Sequence, residues 1–213
     1  MALADPDCTL ESLRATCQRL IALGTQQEQL IESLLTLAQS QSGLATRGPV
    51  DLGKAAQDAV SSRKSQLAEA GLRIDTDISP ALISGNGHLI GRLITNLLDN
   101  AIHYNTPAGF VSLRTAHEDG HCTLTVANSG PPIAPEQVTR LHKPFERLGP
   151  ARTGGGDGAG LGLSIVASIT RAHGADLSLT PRAEGGLIVR VKFKQMAPSG
   201  ATTSHSGFNA ASA

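Results

Sequence analysis

Aromatic residues are scarce in this chain of 213 residues: tryptophan is absent, and the aromatic side chains are one tyrosine, Tyr104, and four phenylalanines. Basic and acidic residues are equal in number, 18 of each. Proteins that bind nucleic acid usually present a basic surface, and those that bind single strands add aromatic side chains that stack on bases. The composition offers neither feature, so the sequence argues against nucleic acid as a partner.

Cysteine and long apolar runs are also scarce. Cys8, Cys17 and Cys122 are odd in number and lack C-x-x-C spacing, which fits reduced thiols better than a disulfide framework or a zinc site. No run approaches the roughly 18 apolar residues of a membrane span, and the first residues lack the basic and apolar regions of a signal peptide. We therefore expect the chain as given to be soluble and cytoplasmic.

Glycine, in contrast, is concentrated in one place. Six glycines lie between Gly154 and Gly162, directly before a helical pattern of apolar residues. Free backbone N–H groups and the positive end of the helix dipole make such a segment suited to binding an anion, so it predicts a nucleotide phosphate site. A P-loop motif is absent from the sequence, and the G-x-G-x-x-A match at 154–159 does not follow a strand, which argues against a dinucleotide site.

The periodicity of apolar residues predicts a mixed fold. The expected helices span residues 10–40, 51–70, 87–103 and 161–173, and the expected strands span 72–78, 110–115, 121–128, 175–180 and 187–193. Asp51 is expected to cap the second helix. Helices mixed with mostly antiparallel strand pairs predict an α/β (α+β) two-layer sandwich, in which one mixed, mostly antiparallel sheet carries helices on one face. The small and polar end of the chain is expected to be disordered.

Two asparagines lie one turn apart in the expected helix 87–103. Its apolar residues form one stripe that would face the sheet. A second stripe, about a quarter turn away, would edge a cleft and carries Asn96, Asn100, His103 and Tyr104. Two carboxamide oxygens at this spacing can ligate Mg²⁺, a hard ion that takes its other oxygens from phosphates and water. The alternative is that both amides are merely solvated, which is the commoner state of an asparagine on a helix.

Four motifs in this order resemble those of sensor histidine kinases. They are an N box at Asn96–Tyr104, a first glycine box at Val126–Ile133, an F box at His142–Arg147 and a second glycine box at Gly158–Val166. The likeness extends more loosely over residues 10–194. It implies the ATP-binding fold that these kinases share with gyrase and a class of heat-shock chaperones, with a mobile lid over the nucleotide at roughly 134–160.

The resemblance also implies how the chain is divided. The expected parts are a partial dimerisation and phosphotransfer helix at 1–44, a linker at 45–50, the catalytic ATP-binding domain at 51–195 and a disordered tail at 196–213. In the family, the phosphoaccepting histidine lies upstream of the helix that resembles 10–40. None of the seven histidines of this chain precedes His88. We therefore expect a chain that binds ATP and Mg²⁺ but lacks its own phosphate acceptor.

Carried over residue by residue, the resemblance assigns roles within the site. Asn100 would hold Mg²⁺, and Asn96 would support the metal directly or through water. Arg147, in the lid region with Phe145, would reach the terminal phosphates and, with Asn96, is a candidate catalytic residue. The other candidate nucleotide contacts are His103, Tyr104, Asn128, Gly130, Ile133, Phe145, Gly158, Gly160, Leu161, Gly162 and Leu163. The alternatives are a solvated surface residue for Arg147 and a flexible linker for the glycines.

Three residues depart from the family pattern. Asn128 stands where an aspartate usually accepts a hydrogen bond from the adenine amino group. A carboxamide oxygen can accept the same bond without charge, so we expect the same base preference with lower affinity, and tighter binding for Asn128→Asp. Pro132 replaces the usual second glycine and lacks an N–H group. His103 replaces the usual lysine and is only partly charged near neutral pH.

The expected function is that of the catalytic and ATP-binding part of a two-component sensor histidine kinase. The resemblance implies transfer of the ATP γ-phosphoryl group to a histidine of the dimerisation hairpin and then to an aspartate of a response regulator. It also implies a homodimeric full-length protein anchored in the cell membrane. Asn96 stands where hydrolysing relatives have a glutamate, and its neutral amide is a poor general base, which favours phosphorylation over hydrolysis. The alternatives are a degenerate binding module without kinase activity and a freestanding kinase of protein serine.

Overall fold

The computed structural model describes residues 47–138, 141 and 162–196, together with Thr9, Ser12, Arg14, Thr16 and Cys17. The elements within these residues are the strands β1 (Gly48–Asp51), β2 (Arg73–Ile78), β3 (Leu82–Gly85), β4 (Phe110–Glu118), β5 (His121–Asn128), β6 (Asp176–Pro181) and β7 (Leu187–Lys194), and the helices α1 (Leu52–Glu69), α2 (Gly87–His103), α3 (Pro135–Val138) and α4 (Gly162–Ala172). Ser12 to Cys17 are helical wherever they are described, and the rest of the helix expected at 10–40 lies outside the described residues.

The main sheet has five strands in the order β2-β4-β5-β7-β6. The β2–β4 pair is parallel and the other three pairs are antiparallel. The predicted mixed, mostly antiparallel sheet is therefore confirmed. No described helix combines the length and the apolar character that crossing a bilayer requires.

One face of this sheet packs against the helices. Along β7 the side chains of Val189, Val191 and Phe193 are buried, whereas the intervening basic residues are exposed. The apolar stripe of α2 is buried against that face, and Leu93, Ile94 and Leu98 there have no exposed surface. A helix with one apolar stripe and a sheet with one apolar face bury both by packing together, which produces the predicted two layers.

Asp51 caps α1, as its sequence predicts. Its Oδ1 accepts hydrogen bonds from the N–H groups of Gly53 (2.9 Å) and Ala81 (3.1 Å). The first bond satisfies a free N–H at the start of the helix, and the second holds the segment before β3 against it. The cap therefore fixes both the start of α1 and the position of its neighbour.

A second, two-stranded sheet was not predicted. Residues 48–50, expected within the linker, belong to β1, which pairs antiparallel with β3. On the other side of β3, the Met196 N–H donates to the Leu82 carbonyl (3.0 Å), and Gln195 forms a bridge with Ile83. Four-residue strands are too short to show a period, so only the folded chain reveals this sheet.

Three smaller differences concern other parts of the fold. The strand expected at 110–115 continues to Glu118, and the turn that follows has positive φ at Asp119 and Gly120. The single-turn helix α3 was not predicted. Cys17 is exposed and Cys122 is buried. Of the tail expected at 196–213, Met196 is described and bonds to β3, whereas residues 197–213 lie outside the described residues, as does most of the predicted lid.

Candidate functional site

The candidate site lies where the C-terminal half of α2 meets the start of α4 and the end of β5. The Asn100 amide packs directly on Gly162, the first residue of α4. A Cβ atom at Gly162 would lie 2.7 Å from Asn100 Nδ2 and 2.9 Å from Oδ1. Glycine is required at this position because any side chain would displace the amide.

Asn100 is half-buried, but its amide nitrogen Nδ2 is fully buried. Its Nδ2 has no hydrogen-bond partner among the described residues. Native proteins leave few buried amides unpaired, and such a group commonly serves a ligand. One turn earlier, Asn96 Nδ2 donates to the Arg92 carbonyl (2.8 Å), and no described residue donates to its Oδ1. The two predicted asparagines therefore offer polar atoms at adjacent levels of the helix.

The start of α4 supplies positive potential beside Asn100. This helix runs for 11 residues from Gly162, and its first N–H groups have no partner within the helix. Together with the helix dipole they favour a bound anion. Leu163 is half-buried and packs against the core, so only its backbone can contribute to a ligand site.

Asn128, the last residue of β5, forms the other end of the site. It is only 8% exposed, and its Nδ2 donates to the carbonyl oxygens of Ser129 (2.7 Å) and Tyr104 (3.5 Å). Both bonds use the NH₂ group, so the amide is held with Oδ1 as its remaining acceptor. No described residue donates to that oxygen. Asn128 can therefore accept a hydrogen bond from a ligand.

Close packing fixes the loop after Asn128. A Cβ atom at Gly130 would lie 2.6 Å from the Tyr104 carbonyl, so the end of α2 can approach this loop only because the residue is glycine. Gly186 has a φ of +92°, and a Cβ atom there would overlap the Asn128 carbonyl oxygen. The β6–β7 turn thus supports the same loop from the other side.

The remaining candidates divide between surface and core. His103 and Tyr104 are exposed and contact each other edge to face, with ring centres 4.7 Å apart. Ile133 is half-buried against the core, and Pro132 is exposed. The candidates Phe145, Arg147, Gly158, Gly160 and Leu161 lie outside the described residues, so their roles stay predictions.

A side-chain network that was not predicted joins the end of α2 to the sheet. Asn105 Nδ2 donates to the carbonyls of Ala101 (2.9 Å) and Phe110 (3.0 Å), and its Oδ1 accepts from the Ser129 hydroxyl (2.6 Å). The Asn-Thr-Pro sequence after the helix signals a turn. Its bond to Ser129, 24 residues away, is visible only in the folded chain.

Behind the site, His173 connects the end of α4 to the start of α2. Its Nδ1 donates to the Ile169 carbonyl (2.8 Å), and its Nε2 accepts from the N–H of Asn86 (3.1 Å), the residue that caps α2. Burial lowers the pKa of His173, and the nearby Arg47 acts in the same direction. The neutral ring suits this geometry because one nitrogen donates and the other accepts.

An ion pair fixes α2 from its outer side. Arg63 Nε lies 2.6 Å from Asp99 Oδ1, and a second hydrogen bond of 3.1 Å joins Nη2 to Oδ2. These bonds to Asp99 raise the pKa of Arg63. Asp99 directly precedes Asn100, so the pair ties α1 to the turn of α2 that carries the Asn100 amide.

The arrangement suits a ligand with a hydrogen-bond donor at one end and an anionic group at the other. Asn128 offers an acceptor at the first end. Asn100 and the start of α4 offer amide groups and positive potential at the second. Among the described residues, no cluster of three histidine, cysteine or carboxylate side chains could hold a metal alone. A metal here would therefore rely on amide oxygens and on the ligand itself.

Comparison with known proteins assigns this architecture to a family. Residues 85–197 match the model of histidine kinase-, DNA gyrase B- and HSP90-like ATPases. The chain is 40% identical over 190 residues to the sensor protein CutS of Streptomyces coelicolor, a match that covers 89% of this chain and 46% of CutS. It is 32% identical over 152 residues to the probable sensor histidine kinase TcrY of Mycobacterium tuberculosis, covering 71% of this chain and 32% of TcrY.

The fold is shared with solved kinase structures. The mycobacterial sensor histidine kinase MprB superimposes with a TM-score of 0.61 at 25% identity, covering 70% of this chain and 98% of the MprB chain. The present chain spans about half the length of CutS.

Proposed function

The chain belongs to the family of histidine kinase-, DNA gyrase B- and HSP90-like ATPases, and from this membership we propose that it is the catalytic, ATP-binding part of a sensor histidine kinase. It binds Mg-ATP and transfers the γ-phosphoryl group to a histidine of a dimerisation hairpin. That phosphoryl group then passes to an aspartate of a response regulator. The observation that carries the proposal is the Asn100 amide, whose buried Nδ2 has no described partner and which lies against the first residue of α4.

The nucleotide is proposed to lie along the cleft from Asn128 to α4. The free Oδ1 of Asn128 accepts from the amino group of adenine, and the exposed Tyr104 lies beside the base. The phosphates lie at the start of α4, where N–H groups that have no partner within the helix and the helix dipole favour negative charge. Gly158, Gly160, Leu161, Phe145 and Arg147 are proposed to complete the phosphate end.

The residues present fit a magnesium ion. Mg²⁺ prefers oxygen ligands and is usually held by one or two protein groups plus phosphate oxygens and water. Asn100 supplies the Oδ1 of a half-buried amide, and the Oδ1 of Asn96, one turn away, accepts no hydrogen bond from a described residue. When bound, the ion neutralises phosphate charge that builds up during transfer.

The remaining catalytic task is positioning. Phosphoryl transfer needs little covalent chemistry from the protein, so the cleft acts by aligning the nucleotide with the incoming histidine. Asn96 is not a general base, because a neutral amide cannot take a proton from water as a carboxylate would. This favours transfer to a histidine over hydrolysis.

The acceptor is proposed to lie outside this chain, because none of its seven histidines precedes residue 88. The full-length protein would then be a membrane-anchored homodimer, in keeping with relatives that are sensor proteins. Phosphoryl transfer from ATP bound to this chain would then pass to a separate polypeptide.

The test supplies the missing acceptor. The purified chain is incubated with γ-labelled ATP, Mg²⁺ and a separate histidine-bearing hairpin, taken from the longest available reading frame or from a CutS-like relative. We expect acid-labile label on the hairpin, and none on a hairpin whose acceptor histidine is replaced by glutamine. Tight nucleotide binding without transfer to any hairpin would contradict the kinase and support a nucleotide-dependent binding module.

A further inference from the structure

Arg182 lies in the turn between β6 and β7, outside every motif of the sequence. Its side chain is only 18% exposed although it carries a charge. One guanidinium nitrogen, Nη1, lies 3.4 Å from both the Asn128 carbonyl and the Gly185 carbonyl. The side chain therefore bridges the end of β5 and the turn that supports it.

The same guanidinium reaches Asn128 by a second path. It stacks over the Phe110 ring, with its central carbon 4.7 Å from the ring centre. The Phe110 N–H in turn donates to the Ser129 hydroxyl (2.8 Å), and the Ser129 N–H donates to the Phe110 carbonyl (3.1 Å). Arg182 thus fixes the residue after Asn128 as well as the carbonyl of Asn128 itself.

Arg182 acts from the opposite face of the sheet to the cleft. Asn128 pairs with the buried Val111, so its side chain is on the helix side of the sheet. Phe110 is the next residue along β4, so its side chain and the stacked Arg182 are on the other side. Arg182 therefore cannot contact a nucleotide in the cleft and can influence it only through the backbone.

We propose that Arg182 is a positioning residue for the base end of the nucleotide site, acting through Asn128. The inference rests on the proposed nucleotide function. The stacked guanidinium, whose Nη1 contacts the Asn128 and Gly185 carbonyls, holds the end of β5 in one orientation, and that orientation aims Asn128 Oδ1 into the cleft. Its loss affects recognition of the base and leaves the magnesium end of the cleft unchanged.

The test compares two nucleotides that differ only in the base. ATP carries a 6-amino donor, whereas inosine triphosphate carries a 6-oxo acceptor, which Asn128 Oδ1 cannot engage. For Arg182→Ala we expect ATP affinity to fall about tenfold, as for loss of a hydrogen bond from a charged donor, with little change for inosine triphosphate. The dependence of ATP affinity on Mg²⁺ should be unaltered.

Two controls separate positioning from general damage. Arg190→Ala removes an exposed arginine from the adjacent strand β7 and should bind both nucleotides with wild-type affinity. Because Arg182 acts through Asn128, Arg182→Ala should change ATP affinity less than about twofold when made in an Asn128→Ala background. Arg182→Lys keeps the charge and the stem, and should give an intermediate loss of selectivity if Arg182→Ala folds poorly.

Four outcomes would overturn the inference. Unchanged affinity for both nucleotides in Arg182→Ala would do so while leaving the nucleotide function intact. Equal losses for both nucleotides, or full additivity with Asn128→Ala, would assign Arg182 a purely structural role. Absence of binding of either nucleotide to the wild-type chain would instead overturn the proposed function, and this inference with it.

Discussion

Asn128 is bound to its surroundings through its NH₂ group rather than through its oxygen. Nδ2 donates to the Ser129 and Tyr104 carbonyls, which joins the end of β5 to the end of α2. An aspartate has no donor to give, so the same geometry would set a carboxylate oxygen against two carbonyl oxygens. The residue that departs from the family pattern is thus built into its own loop.

This geometry reverses the expectation that aspartate would improve the site. We predict that Asn128→Asp lowers the free energy of unfolding by about 1–3 kcal/mol, the usual cost of leaving buried polar groups unmatched, and does not tighten ATP binding. Urea unfolding and calorimetry measure the two effects. A variant that is as stable as wild type and binds ATP more tightly would show that the Nδ2 contacts are unimportant.

Gly162 is required for the Asn100 amide rather than for backbone freedom. Gly162→Ala would place a methyl group within 3 Å of both polar atoms of that amide. We predict that the amide moves and that Mg²⁺-dependent nucleotide affinity falls about tenfold, with little loss of stability. Gly91→Ala is the matched control, because a Cβ atom there meets nothing within 4 Å. Identical binding by both variants would rule out the proposed metal role of Asn100.

At the scale of elements, contacts at both ends fix the position of α2 relative to α4. Asn100 meets Gly162 at the cleft, and His173 meets the Asn86 cap behind it. A protonated His173 would carry N–H groups on both nitrogens, so the Asn86 N–H would lose its acceptor. The connection between the two helices is therefore sensitive to acid.

We predict that part of the stability is lost as pH falls below about 6.5, the ordinary pKa of histidine. Burial lowers the pKa of His173, so the unfolded chain binds a proton in a range where the folded chain does not. The contribution of neutral His173 to the free energy of unfolding is complete above pH 6.5, and it declines as the pH falls toward the lower pKa of the folded state. His173→Asn should reduce this slope in urea unfolding measured at several pH values.

The exposed His88 provides the control for this prediction. His88→Asn should retain the wild-type dependence on pH, because His88 is exposed at the start of α2. If His173→Asn and wild type lose stability in parallel below pH 6.5, the acid sensitivity arises elsewhere.

Elements with their own periodicity could be predicted from the sequence, and those that depend on a distant partner could not. The helix at 87–103 has the predicted bounds, because its apolar stripe and its Asn86 cap are local features. Strands β1 and β3 contain four residues each and exist through mutual pairing. The parallel pairing of β2 with β4 likewise depends on how the chain crosses between them. The candidate site shows the same contrast. The sequence motifs singled out Asn100 and Asn128, but the orientation of their amides and the contacts of Arg182 depend on the fold.

At the scale of the whole molecule, the two ends of the proposed nucleotide site are built separately. The proposed base end depends on β5, the β6–β7 turn and Arg182, whereas the proposed phosphate end depends on α2 and α4. Substitutions at one end should therefore alter base selectivity and those at the other should alter metal dependence, with nearly additive effects between the ends. The affinity for a ligand that spans both ends would therefore depend on elements from across the whole domain.

The most direct test of this account is calorimetry of ATP binding with and without Mg²⁺, for the wild-type chain and for Asn100→Ala. We predict that Mg²⁺ strengthens ATP binding to the wild-type chain, and that Asn100→Ala loses most of this gain while binding metal-free ATP nearly as well. Equal losses with and without the metal would contradict the account, because the Asn100 amide would then have no specific role toward magnesium.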